Sequence, residues 1–148
     1  MGSNDDKPLD TVERLVRATN DHDIEGVVSC FAQEYTLSAP THPGRSFRGT
    51  DQVRRNWSQI FAAVPDIATR VLRAAVDGDT VWTEWEMSGT RRDGAPHLMR
   101  GVFIFGIADG HVRWGRMFLE PVEESAGDMN AALHTQLAQR IPPNSGPS

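Results

Sequence analysis

Residues 67–120, IATRVLRAAVDGDTVWTEWEMSGTRRDGAPHLMRGVFIFGIADGHVRWGRMFLE, decide the fold. Three Asp-Gly pairs interrupt this stretch, at Asp77-Gly78, Asp93-Gly94 and Asp109-Gly110, at even intervals of sixteen residues. Asp-Gly between runs rich in Val, Thr, Trp, Phe and Ile signals a tight hairpin, because glycine accepts the positive φ that such a turn demands. The spacing therefore predicts one antiparallel meander whose strands reach about ten residues, long for a globular domain. Strands of that length coil into a curved sheet, and its concave face needs something laid across it.

The residues ahead of the meander supply that cover. Apolar side chains at Leu9, Val12, Leu15 and Val16, continued by Thr19, follow helical spacing, with Asp10 or Thr11 available as a cap. Asn20-Asp21-His22-Asp23 is a break rich in capping side chains, after which Ile24, Val27, Val28 and Phe31 predict a short second helix. Tyr35 to Ala39 alternates like a strand, and Pro40 to Gly49 reads as a loop at the rim of a cavity. Thr50 is the expected N-cap of a helix carrying Val53, Trp57, Ile60, Phe61 and Val64 on one stripe, ended by Pro65. The expected organisation is a flexible N-terminus over residues 1–8, one domain over 9–122, and a C-terminal segment over 123–148. In that segment Glu123 to Arg140 predicts a helix and Ile141 to Ser148 a loose tail.

Composition narrows the function. The chain has 148 residues, 39% hydrophobic and 24% charged, with a net charge of −5 and no basic face, so nucleic acid is not an expected partner. No apolar run approaches the roughly 18 residues of a membrane span, and the polar start does not resemble a signal peptide, so the expected location is cytoplasmic and no membrane is involved. Cys30 is the single cysteine and sits among Val27, Val28 and Phe31, the setting of a buried core thiol. The five histidines, His22, His42, His97, His111 and His134, lack ligand spacing; no metal and no cofactor is expected.

Strand alternation sorts the meander into faces. If Asp109-Gly110 is a two-residue loop, Ala108 pairs with His111, which sets Phe105 opposite Trp114, Phe103 opposite Arg116 and Met99 opposite Glu120. One face then carries His97, Met99, Gly101, Phe103, Phe105, Trp114, Arg116, Phe118 and Glu120; the other carries Leu98, Arg100, Val102, Ile104, Arg113, Met117 and Leu119. Both are substantially apolar, so one should meet the helices and the other a second copy, making a homodimer the expected assembly. In Val81 to Gly89 the set Val81, Thr83, Trp85 and Met87 suits the enclosed side. It shares a face with His97 and Met99 only if the loop near Arg92 to Pro96 has an odd number of residues or a bulge.

Helices, a strand, a covering helix and a curved meander together resemble the nuclear transport factor 2-like superfamily. Phe47-Arg48-Gly49 leading into the covering helix, and the run from Gly101-Val102-Phe103 through Asp109-Gly110 to Arg116-Met117-Phe118-Leu119-Glu120-Pro121, resemble its SnoaL-like subgroup. The resemblance implies an α+β, cone-shaped fold in which a curved antiparallel sheet and N-terminal helices wrap an internal pocket. The superfamily hosts isomerases, cyclases, hydrolases, dehydratases and noncatalytic binders, so fold does not fix chemistry. The chain is also partly similar to limonene epoxide hydrolase, whose pocket carboxylate and preceding arginine fall on Glu120 and Arg116. The arginine and aspartate that this hydrolase needs on its middle strand fall on Trp85 and Met87, and its water-orienting Tyr and Asn on Thr36 and Ser38. The resemblance to that triad is incomplete.

The expected function is a cyclase- or isomerase-type enzyme acting by acid/base catalysis on a hydrophobic small molecule, polyketide, terpenoid or steroid-like. Its candidate catalytic residues are Glu120, Arg116 and His97. A carboxyl among apolar walls is raised toward neutrality, whereas an Arg116 pairing with Glu120 would depress it, so a structural ion pair and a catalytic carboxylate both remain open. His97, on the same predicted face, is either a proton relay or a histidine at a hairpin shoulder. Thr36, Ser38, Trp57, Trp85, Met87, Met99, Phe103, Trp114 and Phe118 are the expected substrate-binding residues, with core packing the competing role of the tryptophans. A noncatalytic binding protein and an epoxide hydrolase-like enzyme are the alternatives.

Overall fold

The computed structural model describes residues 6–125 and 127–138. Two helices, α1 (Asp6–Asn20) and α2 (Ile24–Ser29), lead into β1 (Phe31–Ser38), a 3₁₀ turn at Pro43–Arg45 and the two-residue strand β2 (Phe47–Arg48). Helix α3 (Thr50–Ala63) follows, and then the meander β3 (Ala68–Asp77), β4 (Thr80–Thr90), β5 (Pro96–Ala108) and β6 (His111–Pro121), with α4 (Met129–Ala138) last. Among the described residues six strands form one sheet in the order β2-β1-β6-β5-β4-β3, antiparallel except where β1 runs parallel to β6. This is the α+β cone: a curved, unclosed sheet with α1, α2 and α3 against its concave face. No helix among the described residues is long and apolar enough to cross a membrane.

Local chemistry sets the element ends. Asp23 caps α2 by accepting the Gly26 N–H at 3.0 Å. Helix α2 stops at Ser29, so Phe31, read above as helical, instead opens β1. Thr50 is the first residue of α3 and not its cap; Gly49, at φ +91°, occupies that position. Helix α1 starts at Asp6, so Asp6 to Pro8 belong to it, and the C-terminal helix is confined to Met129–Ala138, with Met129, Leu133 and Leu137 exposed. The remainder of the expected N-terminal lead-in and the expected tail over 141–148 lie outside the described residues.

A polar clasp joins the end of α1 to the start of β3. Asn20 accepts the Thr69 N–H at 2.7 Å and donates to the Thr69 carbonyl at 2.9 Å, pairing with the strand as a neighbouring backbone would. Beside it the buried Thr19 and Thr69 hydroxyls meet at 2.6 Å. Asn20→Ala strips partners from the backbone of Thr69, and we expect a loss of about 1–2 kcal/mol, read as a lower urea midpoint with unchanged m-value.

The turns largely follow their sequence signals. Asp109 and Gly110 take φ +54° and +73°, a primed two-residue turn with Ala108 paired to His111 as expected. Between β4 and β5 the loop is Arg91–Ala95, five residues, with Thr90 paired to Pro96 and Met87 to Met99. Its odd length places Val81, Thr83, Trp85 and Met87 on the concave face beside His97, Met99, Phe103 and Phe105.

The register of the last hairpin departs from the simple reading. Ile107 pairs with Val112 but Gly106 pairs with Trp114, leaving Arg113 as an extra residue, a bulge in β6. A one-residue slip exchanges the faces of everything beyond it. Phe103 is therefore opposite Met117, Phe105 opposite Gly115 and Met99 opposite Pro121. Met117 and Leu119 turn inward, while Trp114, Arg116, Phe118 and Glu120 turn to the convex face. Gly106 makes the bulge possible: a Cβ there would lie 1.8 Å from Trp114 Nε1, so the indole occupies the space a side chain would fill.

Candidate active site

Helix α3 and the concave sheet face enclose a cavity of about 220 Å³. On α3, Val53, Asn56, Trp57 and Ile60 fall at helical spacing on one stripe and form its roof. Trp85 and Met87 of β4, Met99, Phe103 and Phe105 of β5, and Met117 and Leu119 of β6 form its walls by strand alternation, and Tyr35 and Leu37 of β1 close one side. Trp85 is 1% exposed and meets Phe103 edge-on at 5.8 Å, and its Nε1 donates to Thr83 Oγ1 at 2.6 Å. Thr83 in turn donates to the Phe103 carbonyl at 2.7 Å, so the large aromatic wall holds no orphaned polar atom.

Among the described residues, three polar side chains reach this space. His97, at the start of β5, lines both the cavity and an outer vestibule of about 500 Å³, as do Asn56 and Ile60 of α3, so these residues form the mouth. Burial, reinforced by the positive charge of Arg91, holds the His97 imidazolium below the ordinary histidine range. Gln52 donates to Asn56 Oδ1 at 2.7 Å, which turns the Asn56 amide so that its NH₂ is the end left to a ligand. Tyr35 sits deep, and burial pushes its phenol far above the usual value, so it is a neutral donor at any physiological pH. Gly115 makes room for it, since a Cβ there would lie 2.7 Å from the Tyr35 hydroxyl.

Of the residues expected at the site, His97, Trp57, Trp85, Met87, Met99 and Phe103 line the cavity. Thr36 and Ser38 do not: alternation in β1 sends Tyr35 and Leu37 inward and leaves both hydroxyl residues on the convex side, paired with Trp114 and Arg116. Trp114, Phe118, Arg116 and Glu120 are on that side too, placed there by the Arg113 bulge. Glu120 is 49% exposed and its carboxylate meets His42 Nε2 at 2.6 Å, so its partner is the histidine of the Pro40 to Gly49 loop and not Arg116. On the convex face Glu86 holds Arg70 and Arg100, each at 2.9 Å, and these hydrogen bonds keep its carboxyl below the usual range. Arg113 pairs with Glu34. No carboxylate lines the cavity among the described residues, and no group of three metal-ligating side chains occurs among them. The missed residues had signals: Asn56 interrupts an apolar stripe between Val53 and Ile60, and Tyr35 opens the alternating stretch Tyr35 to Ala39.

Comparison with known proteins agrees with this architecture. The sequence profile of the SnoaL-like domain matches residues 12–114. IdmH of Streptomyces antibioticus, a proposed polyketide cyclase, is 23% identical with a TM-score of 0.67, over 76% of this chain and 91% of that one. An LEH-like epoxide hydrolase of M. tuberculosis superposes at 0.68 with 15% identity, over 80% of this chain and 86% of that one. A proposed SnoaL-like polyketide cyclase of Jannaschia sp. CCS1 superposes at 0.68 with 18% identity, covering 95% and 98%. No curated protein matches the chain.

Proposed function

The chain belongs to the SnoaL-like domain family, and from that premise we propose a cofactor-independent cyclase- or isomerase-type enzyme that moves a proton on a hydrophobic small molecule, with His97 as the acid/base. The observation that carries this reading is the position of His97, an imidazole able to take up and return a proton, where an apolar cavity opens to a polar vestibule. Held neutral by burial, it is ready to accept a proton. A carbon acid beside a carbonyl suits this arrangement. His97 takes the proton from carbon, the Asn56 NH₂ donates to the oxygen that gains charge, and the same imidazolium returns the proton at the new position, with no net oxidation. Apolar walls hold the ligand body and keep water out. Solvent deuterium entering the α-carbon of polyketide-like or steroid-like ketones in the presence of the protein is the expected result; no exchange across such a panel overturns the enzymatic reading.

A noncatalytic binding role is the second reading, favoured by the lack of any carboxylate among the described lining residues. Epoxide hydrolysis has less support, because Trp85 and Met87 occupy inward positions where that chemistry needs an arginine and an aspartate.

A homodimer through the convex face is part of the same proposal. Trp82 is 50% exposed there, next to Ile104, with Val102, Phe118 and Trp114 close by on the same surface. Such an apolar patch on a soluble domain is ordinarily covered. Trp82→Glu is expected to give a monomer in sedimentation at micromolar concentration where the parent is a dimer; a parent that is already monomeric removes the dimer from the proposal.

A further inference from the structure

The inner cavity is small for its proposed task. Pockets for metabolite-sized ligands run to roughly 300–1,000 Å³, whereas this one holds about 220 Å³ before it passes between Asn56 and His97. An occupant of ordinary size therefore leaves part of itself in the vestibule. That space is lined by Asn56, Gln59, His97 and Arg91 with Ile60, Ala63 and Val64, and Arg91 is the permanently charged group among them.

The position of Arg91 is prepared by its own loop. Its N–H donates to the Ala95 carbonyl at 2.8 Å and its carbonyl accepts from Gly94 at 2.9 Å, while Asp93 accepts from Ala95 at 2.9 Å. The neighbouring charges point elsewhere: Arg92 donates to the Ala62 carbonyl at 2.6 Å and Asp66 accepts from the Thr90 N–H at 2.7 Å. Among the described residues no carboxylate forms an ion pair with the Arg91 guanidinium, although the chain as a whole carries a net charge of −5. A planar guanidinium at the open end of an oily cavity matches a carboxylate borne on an apolar body.

Resting on the ligand-binding reading above, we propose that the vestibule is a head-group site and that the natural ligand is an amphipathic carboxylic acid, its apolar part inside the cavity and its carboxylate on Arg91. His97 does not compete for this role, being held neutral, and instead faces the atoms nearest the mouth. The acid group thereby fixes which carbon is presented to the imidazole.

Decanoate, decan-1-ol and methyl decanoate, titrated calorimetrically below their aggregation concentrations at pH 7.5, test this. The parent should bind decanoate about tenfold tighter than the ester or the alcohol, as expected for one charge-assisted pair in a half-open site. Arg91→Gln should remove that preference while leaving affinity for the ester unchanged, and added salt should erode it in the parent alone. Equal binding of acid and ester by the parent, or a preference that survives Arg91→Gln, overturns the head-group site and leaves the apolar cavity standing. Failure of all three probes to bind overturns the cavity as a ligand site, and the head-group proposal with it.

Discussion

Replacing His97 with Gln lowers kcat by about 10²–10⁴-fold while ligand affinity stays within about threefold, the loss expected when a positioned acid/base is removed and the amide keeps its size and polarity. Glu120→Gln, in contrast, changes kcat by less than about twofold, because its carboxylate is on the convex side against His42. The two variants together separate the proposed chemistry from the one suggested by likeness to epoxide hydrolases. The pH profile adds an independent check. Burial and Arg91 lower the His97 pKa, so the neutral form that accepts a proton persists to a lower pH than in a free histidine. The acid limb of kcat/KM should accordingly fall off below the ordinary histidine value of about 6.5 and be absent from His97→Gln. A profile unchanged by the substitution, or turnover that disappears with Glu120→Gln, removes His97 from the role assigned to it.

The contrast between His97 and Glu120 marks where sequence reasoning holds and where it stops. Upstream, the odd-length loop required near Arg92 to Pro96 is the five-residue Arg91–Ala95 turn, so strand alternation carried Trp85, Met87, His97 and Met99 to the correct face. Downstream, the same alternation was correct through Phe105 and for the Ala108–His111 pair, then failed at one residue. Arg113 adds a position to β6, and a period of two has no tolerance for an odd insertion. Every assignment beyond it inverted: Met117 and Leu119 entered the cavity, Arg116, Phe118 and Glu120 left it. A bulge is a tertiary bargain between Gly106, which gives up its side-chain space, and Trp114, which fills it, and neither residue announces the pairing alone. In β1 the loss was simpler. Thr36 and Ser38 were carried over from a resemblance, whereas the strand turns Tyr35 and Leu37 to the buried side and so leaves the two hydroxyl residues on the convex one.

Trp85→Ala should have the largest effect on stability of any single change at the site, about 3–5 kcal/mol, with a Tm lower by roughly 10 °C or more. The indole is 1% exposed and joins two aromatic neighbours, Phe103 at 5.8 Å and Phe105 at 6.4 Å, both edge-on. Removing it forfeits this packing and leaves a void that β4 and β5, hydrogen-bonded along their length, have little freedom to close. Trp85→Phe keeps most of the volume and loses the Nε1 bond to Thr83, yet Thr83 still donates to the Phe103 carbonyl, so the cost should be nearer 1–2 kcal/mol. The comparison tests more than stability. Because Trp85 is a wall of the cavity as well as a part of the core, the alanine variant enlarges the space beneath Asn56 and His97 and should shift ligand preference toward bulkier apolar bodies. Urea midpoints that agree for parent and Trp85→Ala would mean that this indole packs against nothing essential, and the cavity would then lose the wall on which the orientation of its ligand depends.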